Sequence, residues 1–259
     1  EVQIFGSDKG VIAIGERDCS VQRRNQKVVE ECPAPGISDR VREQLRTAAV
    51  RLAESVGYRN AGTVEFIYDD LNSGFYFLEV NTRLQVEHGI TEEVYGVDIV
   101  EWMLREAANE FRLPDISAMH PDGHAIEMRI YAEDCYNSFR PSTGKIDDVI
   151  FEESDRVDTW IRKNIEVTSL YDSMLAKLIV HGKDRNDAVR KALRSLDDTR
   201  IYGITTNVRY LRKFIGTDAY KCGKLSTHML DDFCPEENVI EVIDGGIQTT
   251  VQDYPGRTG

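Results

Sequence analysis

Apolar and polar residues alternate over residues 1–5 and 11–14 as in two short strands, turned by Gly6-Ser7-Asp8-Lys9-Gly10. Residues 16–36 are dense in charge and close on Pro33-Ala34-Pro35-Gly36, which predicts a loop. The period then lengthens. Val41, Leu45, Ala48, Ala49, Leu52 and Ala53 recur at helical spacing over residues 39–56, with Ser38 placed as N-cap and Gly57 as the stop. Two-residue alternation returns at 63–68 and 75–80 around a polar 69–74 turn, the pattern of a hairpin. A second amphipathic helix over 97–110 would set Ile99, Val100, Met103, Leu104 and Ala107 on its apolar side.

Pro114 and the His120-Pro121-Asp122-Gly123 turn mark a boundary. Beyond it strands are predicted at 124–131, 144–151, 156–160 and 176–181, and helices at 185–196 and 207–215. Residues 234–242 read as a linker into a further unit. The pattern therefore divides into 1–122, 123–233 and 234–259, an α+β organisation with no internal repeat.

The hydrophobic content of 41% with 30% charged residues belongs to a globular chain, and no apolar run approaches the ~18 residues of a membrane span. A net charge of −13 argues against a nucleic-acid scaffold. Five cysteines, an odd number without CxxC spacing, argue against a disulfide framework or zinc site and suit a cytoplasmic protein. The N-terminus has no signal-peptide pattern and reads as mid-strand, so a longer gene product is expected.

The strongest chemical pattern lies in the hairpin. Thr63, Glu65 and Ile67 would share one face of its first strand, and Phe77, Glu79 and Asn81 one face of its second. Two carboxylates and an amide oxygen converging there suit Mg²⁺ on nucleotide phosphates, whereas on a solvated sheet they would bind nothing. Arg83, Gln85 and Glu87 would alternate on one face if 81–88 is extended, offering a cation for an anion and a carboxylate for base work; the alternative is a surface ion pair. Arg17, Arg23, Arg24 and Lys27 form a basic knot among Gln22, Asn25 and Gln26, either an anion cradle or a solvated loop. Glu127 and Arg129 would share the polar face of a strand whose Ile126, Met128 and Ile130 face the core. No P-loop, Rossmann fingerprint or Gly-x-Ser-x-Gly elbow is present.

In order along the chain, the strings 16–27 (ERDCSVQRRNQK), 79–88 (EVNTRLQVEH), 127–134 (EMRIYAED) and 171–178 (YDSMLAKL) resemble biotin carboxylases of the ATP-grasp superfamily. The resemblance covers about residues 1–230. It implies the second half of an ATP-grasp domain followed by the mixed, largely antiparallel biotin carboxylase C-terminal domain, and a reaction in which ATP and bicarbonate carboxylate biotin through carboxyphosphate. It further implies Mg²⁺ (or Mn²⁺) on Glu65 and Glu79 with Asn81 beside them, and ATP contacts from Gln22, Asn25, Gln26 and Ile67 as well as Glu65 and Glu79. Lys27, Arg83, Gln85 and Val86 would form the bicarbonate pocket, with Glu87 as the base. Arg83 would also steady charge on biotin, and Arg129 would hold carboxyphosphate and the biotin ureido oxygen. Many members carry His where this chain has Asn25, and an amide cannot carry a proton in its place.

Residues 240–257 (IEVIDGGIQTTVQDYPGR) resemble the opening of the carboxyltransferase domain of urea carboxylases, and 199–207 also resemble those enzymes. Implied partners are a biotin carrier domain, a carboxyltransferase domain and, as often in biotin carboxylases, a second copy, but neither nucleic acid nor membrane. The family's N-terminal domain and glycine-rich lid would precede residue 1, so the 259 residues alone are expected to be inactive. Other readings of these residues are an acetyl-CoA or pyruvate type of biotin-dependent carboxylase, a biotin-free ATP-grasp ligase, and a non-catalytic interaction module.

Overall fold

The computed structural model describes residues 1–115, 119–231 and 233–235, and the backbone alone of two further strands at 239–244 and 247–252. The first half runs β1 (Val2–Ser7), β2 (Gly10–Glu16), β3 (Asp18–Arg23), β4 (Gln26–Cys32), α1 (Asp39–Ser55), β5 (Asn60–Asp69), β6 (Gly74–Asn81), α2 (His88–Tyr95) and α3 (Ile99–Ala107). The second half runs β7 (His124–Tyr131), β8 (Glu133–Asp134), β9 (Arg140–Pro141), β10 (Gly144–Lys145), β11 (Asp148–Ile150), β12 (Arg156–Thr159), β13 (Glu166–Val167), β14 (Met174–Gly182), α4 (Arg185–Asp198), β15 (Arg200–Tyr202), α5 (Val208–Ile215), α6 (Asp218–Lys221), β16 (Val239–Asp244) and β17 (Ile247–Gln252).

Two antiparallel sheets organise the chain. One has the order β2-β1-β5-β6, the other β12-β14-β7-β4-β3. The α+β expectation holds in this mixture of helices and antiparallel sheets. On the first sheet α1 lays Val41, Leu45, Ala49 and Ala53 against Val2, Ile4 and Val64. Ser38 caps α1 by accepting from the Val41 amide at 3.4 Å, and Gly57 ends it with a φ of 60° that a Cβ would oppose. Both were legible in the sequence.

Residues 16–36, expected to form a loop, instead supply β3 and β4. The two-residue turn between them puts Arg24 (φ 50°) and Asn25 (φ 63°) in the left-handed region, where asparagine is among the tolerated residues. This hairpin joins β7 in the second sheet, Glu30 opposite Glu127 and Val29 opposite Met128, so the sheet crosses the sequence boundary near residue 122.

That sheet is buried on both faces, which removes the alternation from its sequence. Val29, Met128, Leu178 and Val157 lie side by side beneath α4 and α5. The other face is divided. Its apolar end, Cys32, Ala125 and Ile179, packs on Ile90 and Val94 of α2. Its charged end carries Glu30, Glu127, Arg129, Lys177 and Asp158 in adjacent registers. Among the described residues no helix is long and apolar enough to cross a membrane.

The 97–110 helix shortens to α3, capped by Asp98, and only Ile99 of its expected apolar face is buried; Val100 and Leu104 are exposed. The 144–151 strand breaks into β10 and β11 around buried Ile146.

Candidate active site

The β5–β6 register sets Glu65 opposite Glu79 and Thr63 opposite Asn81. The Asn81 amide nitrogen donates to Glu65 Oε1 at 3.1 Å and to Glu79 Oε1 at 3.2 Å, so both carboxylates occupy one face. A bulge between Glu79 and Phe77 inserts Leu78 and breaks the alternation beyond it. Phe77 therefore pairs with Phe66, contrary to the expected grouping of Phe77 with Glu79. Ile67 is exposed on this edge hairpin.

The segment after β6 is not extended as the motif suggested. It bends at Arg83 and turns through Val86 and Glu87 into α2, a helix the sequence reading missed. Gln85 and Glu87 turn inward and are buried, while Arg83 stays exposed. Gln85 donates to Glu65 Oε1 at 2.9 Å and accepts from Arg17 at 3.3 Å. Lys177 Nζ donates to the Val86 carbonyl at 2.8 Å. Arg83 reaches the Leu84 carbonyl at 3.3 Å, and no carboxylate among the described residues pairs with it. Arg83 and Glu87 thus do not share a face as the extended reading required.

Lys27 joins the two halves of the site. From β4 its Nζ lies 3.0 Å from Glu65 Oε1, 2.5 Å from Glu87 Oε1 and 2.5 Å from Glu1 Oε2. Glu87 turns its other oxygen to Arg129 Nη2 of β7 at 2.9 Å. One buried carboxylate thus lies between two cations from different strands. Burial opposes the Lys27 charge, but Cys19, Glu1 and Glu87 around it raise its pKa above the ordinary lysine range. Burial, and then Glu1, holds the Cys19 thiol well above its usual range. The ligand atoms of Glu1, Cys19 and Glu87 converge, but the Lys27 ammonium already meets both carboxylates, so this cluster is not read as a metal site.

The basic knot disperses because strand geometry sends its members apart. Arg17, 1% exposed, bonds Glu1 at 2.6 Å, Gln3 at 2.7 Å, Thr91 at 2.8 Å and Thr63 at 3.2 Å. With its donors committed inside the protein it is a structural hub and not an anion ligand. Arg23 pairs with Glu133 and stacks over Phe139. Of the knot, only Lys27 pairs with Glu65 and Glu87 among the described residues. Gln22 bonds the Cys19 carbonyl at 2.8 Å, while Asn25 and Gln26 are exposed at the hairpin turn.

Sequence reasoning missed Glu1, Glu30 and Lys177 here and left Glu127 without a role. The available signal was acid inside apolar strings, Val28-Val29-Glu30 and Ile126-Glu127-Met128.

Residues 1–115 match the family model for the carbamoyl-phosphate synthase L chain ATP-binding domain, and residues 127–232 match that for the biotin carboxylase C-terminal domain. Urea amidolyase of Saccharomyces cerevisiae is 50% identical over all of this chain, which covers 14% of that protein. The crystal structure of Kluyveromyces lactis urea carboxylase superposes with a TM-score of 0.89 at 51% identity, over 100% of this chain and 23% of that one. The biotin carboxylase domain dimer of Hydrogenobacter thermophilus 2-oxoglutarate carboxylase, in complex with MgADP, ADP and bicarbonate, reaches 0.86 at 39% identity over 89% of this chain and 51% of that one. The chain therefore spans well under a quarter of the yeast relative it matches.

Proposed function

Because the chain belongs to the biotin carboxylase family, as the second half of its ATP-grasp domain joined to its C-terminal domain, we propose that its site serves the ATP-dependent carboxylation of biotin by bicarbonate in a cytoplasmic urea carboxylase. The observation that carries this reading is Lys27, whose ammonium links the Glu65–Glu79 hairpin to the buried Glu87–Arg129 pair.

The hairpin fits a divalent ion. Its donors are oxygens in register, Glu79 is open to solvent, and a cation, Lys27, already lies against Glu65. Mg²⁺ or Mn²⁺ held by Glu65, Glu79 and Asn81 would offset the phosphate charge of ATP. Gln22, Asn25, Gln26 and the exposed Ile67 lie on the nucleotide side of this proposal. Lys27, Arg83, Gln85 and Val86 receive bicarbonate, and the Arg83 guanidinium, without a carboxylate partner among the described residues, is open to that anion. Glu87 would take the bicarbonate proton as the anion attacks the terminal phosphate of ATP, the bond to the bridging oxygen breaking so that carboxyphosphate forms and ADP leaves. Lys27 and Arg129 hold Glu87 in place and make an anion beside it tolerable. Arg129 then supports transfer of the carboxyl group to biotin carried on a separate domain, which a carboxyltransferase domain would pass to urea. A homodimer belongs to the proposal, as do five free thiols suited to a reducing cytosol.

Matches to the whole chain come from urea enzymes, whereas the 2-oxoglutarate enzyme matches 89% of it. That contrast favours urea as acceptor. Bicarbonate-dependent ATP hydrolysis by the full-length protein, measured with urea, acetyl-CoA or pyruvate, is expected to rise with urea alone. Stimulation by either of the others would overturn the acceptor assignment.

A further inference from the structure

Beside Arg129 lie two acids that the proposed chemistry does not use. Glu30 of β4 and Glu127 of β7 are directly opposite each other, and both are 0% exposed. Among the described residues no aligned donor meets either carboxylate. Arg129 Nη2 approaches Glu30 Oε1 at 2.5 Å out of hydrogen-bond alignment, and its Nε stands 3.9 Å from Glu127 Oε1. Three carboxylates, Glu30, Glu87 and Glu127, thus surround one guanidinium.

The other cations nearby are committed elsewhere. On β14, Lys177 lies 2.9 Å from Asp158 of β12 and donates to the Val86 carbonyl. On β4, Lys27 is shared among Glu1, Glu65 and Glu87. His88, at the start of α2, bonds the Gln85 carbonyl at 2.8 Å. Two ionised carboxylates side by side in a buried sheet, with one guanidinium between them and Glu87, would repel each other, whereas one shared proton converts the pair into donor and acceptor.

We propose that Glu30 and Glu127 share one proton as a carboxyl–carboxylate pair, and that this singly charged pair positions Arg129 between itself and Glu87. The positioning role rests on the function proposed above; the sharing of the proton does not. With one negative charge the pair anchors the guanidinium while Nη2, which lies against Glu30, still reaches Glu87. With two charges it draws the guanidinium away, and with none it releases Arg129 onto the base. Burial, opposed chiefly by Arg129, brings the Glu30 carboxyl up to about 7. Burial and then the Glu30 charge hold Glu127 well above the carboxylate range. Both directions agree with a retained proton. Glu30 and Glu127 are positioning residues, since they act through Arg129.

The test uses the full-length protein and the variants Glu127→Gln, Glu30→Gln and the double change. Infrared spectra at neutral pH should show a buried carboxylic-acid carbonyl band in the wild type that the double variant lacks. Glu127→Gln imitates the protonated acid, so kcat for bicarbonate-dependent ATP hydrolysis should stay within about threefold, and any alkaline fall due to the pair should disappear. The double variant should lose about a hundredfold in kcat with KM for ATP unchanged. If it folds poorly, the band and pH profile of Glu127→Gln carry the test. Absence of the band, or a loss in Glu127→Gln as deep as in the double variant, would overturn the proposal. A wild type without bicarbonate-dependent turnover would sink the proposed function and the positioning role with it, while the band still decides whether the proton is shared.

Discussion

The molecule contains two pairs of glutamates facing each other across antiparallel strands. Glu65 and Glu79 sit on a hairpin at a sheet edge, bridged by the Asn81 amide and approached by Lys27. Glu30 and Glu127 sit within a sheet covered on both faces, and no aligned donor among the described residues meets either. The pairing is alike and the solvation opposite. Where water reaches, two carboxylates can gather a cation; where it does not, the same juxtaposition favours keeping a proton. Cross-strand geometry brings the groups together, and burial decides their chemistry.

The largest expected effect sharpens the exposed side of this contrast. Replacing both Glu65 and Glu79 with Gln in the full-length protein should weaken the apparent Mg²⁺ affinity in ATP turnover by about a hundredfold, taking about 1.4 kcal/mol for each ligand lost. Denaturant unfolding should change less than this, because Glu79 is exposed and Glu65→Gln keeps an oxygen for the Lys27, Asn81 and Gln85 donors. Removing the cation from the buried side should do the reverse. Arg129→Met strands several interior acids and should lower stability by about 3–5 kcal/mol, read from urea midpoints.

A smaller effect follows from the protonation state. Glu30 has a folded-state pKa raised to about 7. The unfolded chain therefore binds fewer protons in the interval above its own carboxylate range, and stability should fall as pH rises from about 4.5 to about 7. The slope should flatten in the Glu30→Gln, Glu127→Gln double variant. A slope unaffected by the double change would break the comparison. The smallest effect is a control remote from both pairs: Ser38→Ala removes the α1 cap and should cost about 1 kcal/mol without altering Mg²⁺ affinity or the pH slope.

The two regions also differ in how far the sequence disclosed them. The β5–β6 hairpin was readable because one face is wet, so alternation placed Glu65 and Glu79 together, and only the Leu78 bulge escaped notice. The β3–β4 hairpin was not. Its charged residues find partners inside the protein, as Arg17 beside it does with Gln3, Thr63 and Thr91, and such long-range pairing has no local period. Helix α2 was hidden behind the motif that leads into it. Its inward face has few large apolar residues, Ile90 and Val94 with Gly89 and Thr91, and its polar residues Glu92 and His88 are tied to neighbouring groups. The residue types in the 79–88 string pointed to the chemistry proposed above, but not to the bend that buries Glu87 and leaves Arg83 outside.

The claim on which the account depends is that Glu87, held between Lys27 and Arg129, acts as the base toward bicarbonate. Bicarbonate-dependent ATP hydrolysis by the full-length protein should fall by about a hundredfold or more in Glu87→Gln, with the fold retained. Equal turnover in the variant and the wild type would contradict it.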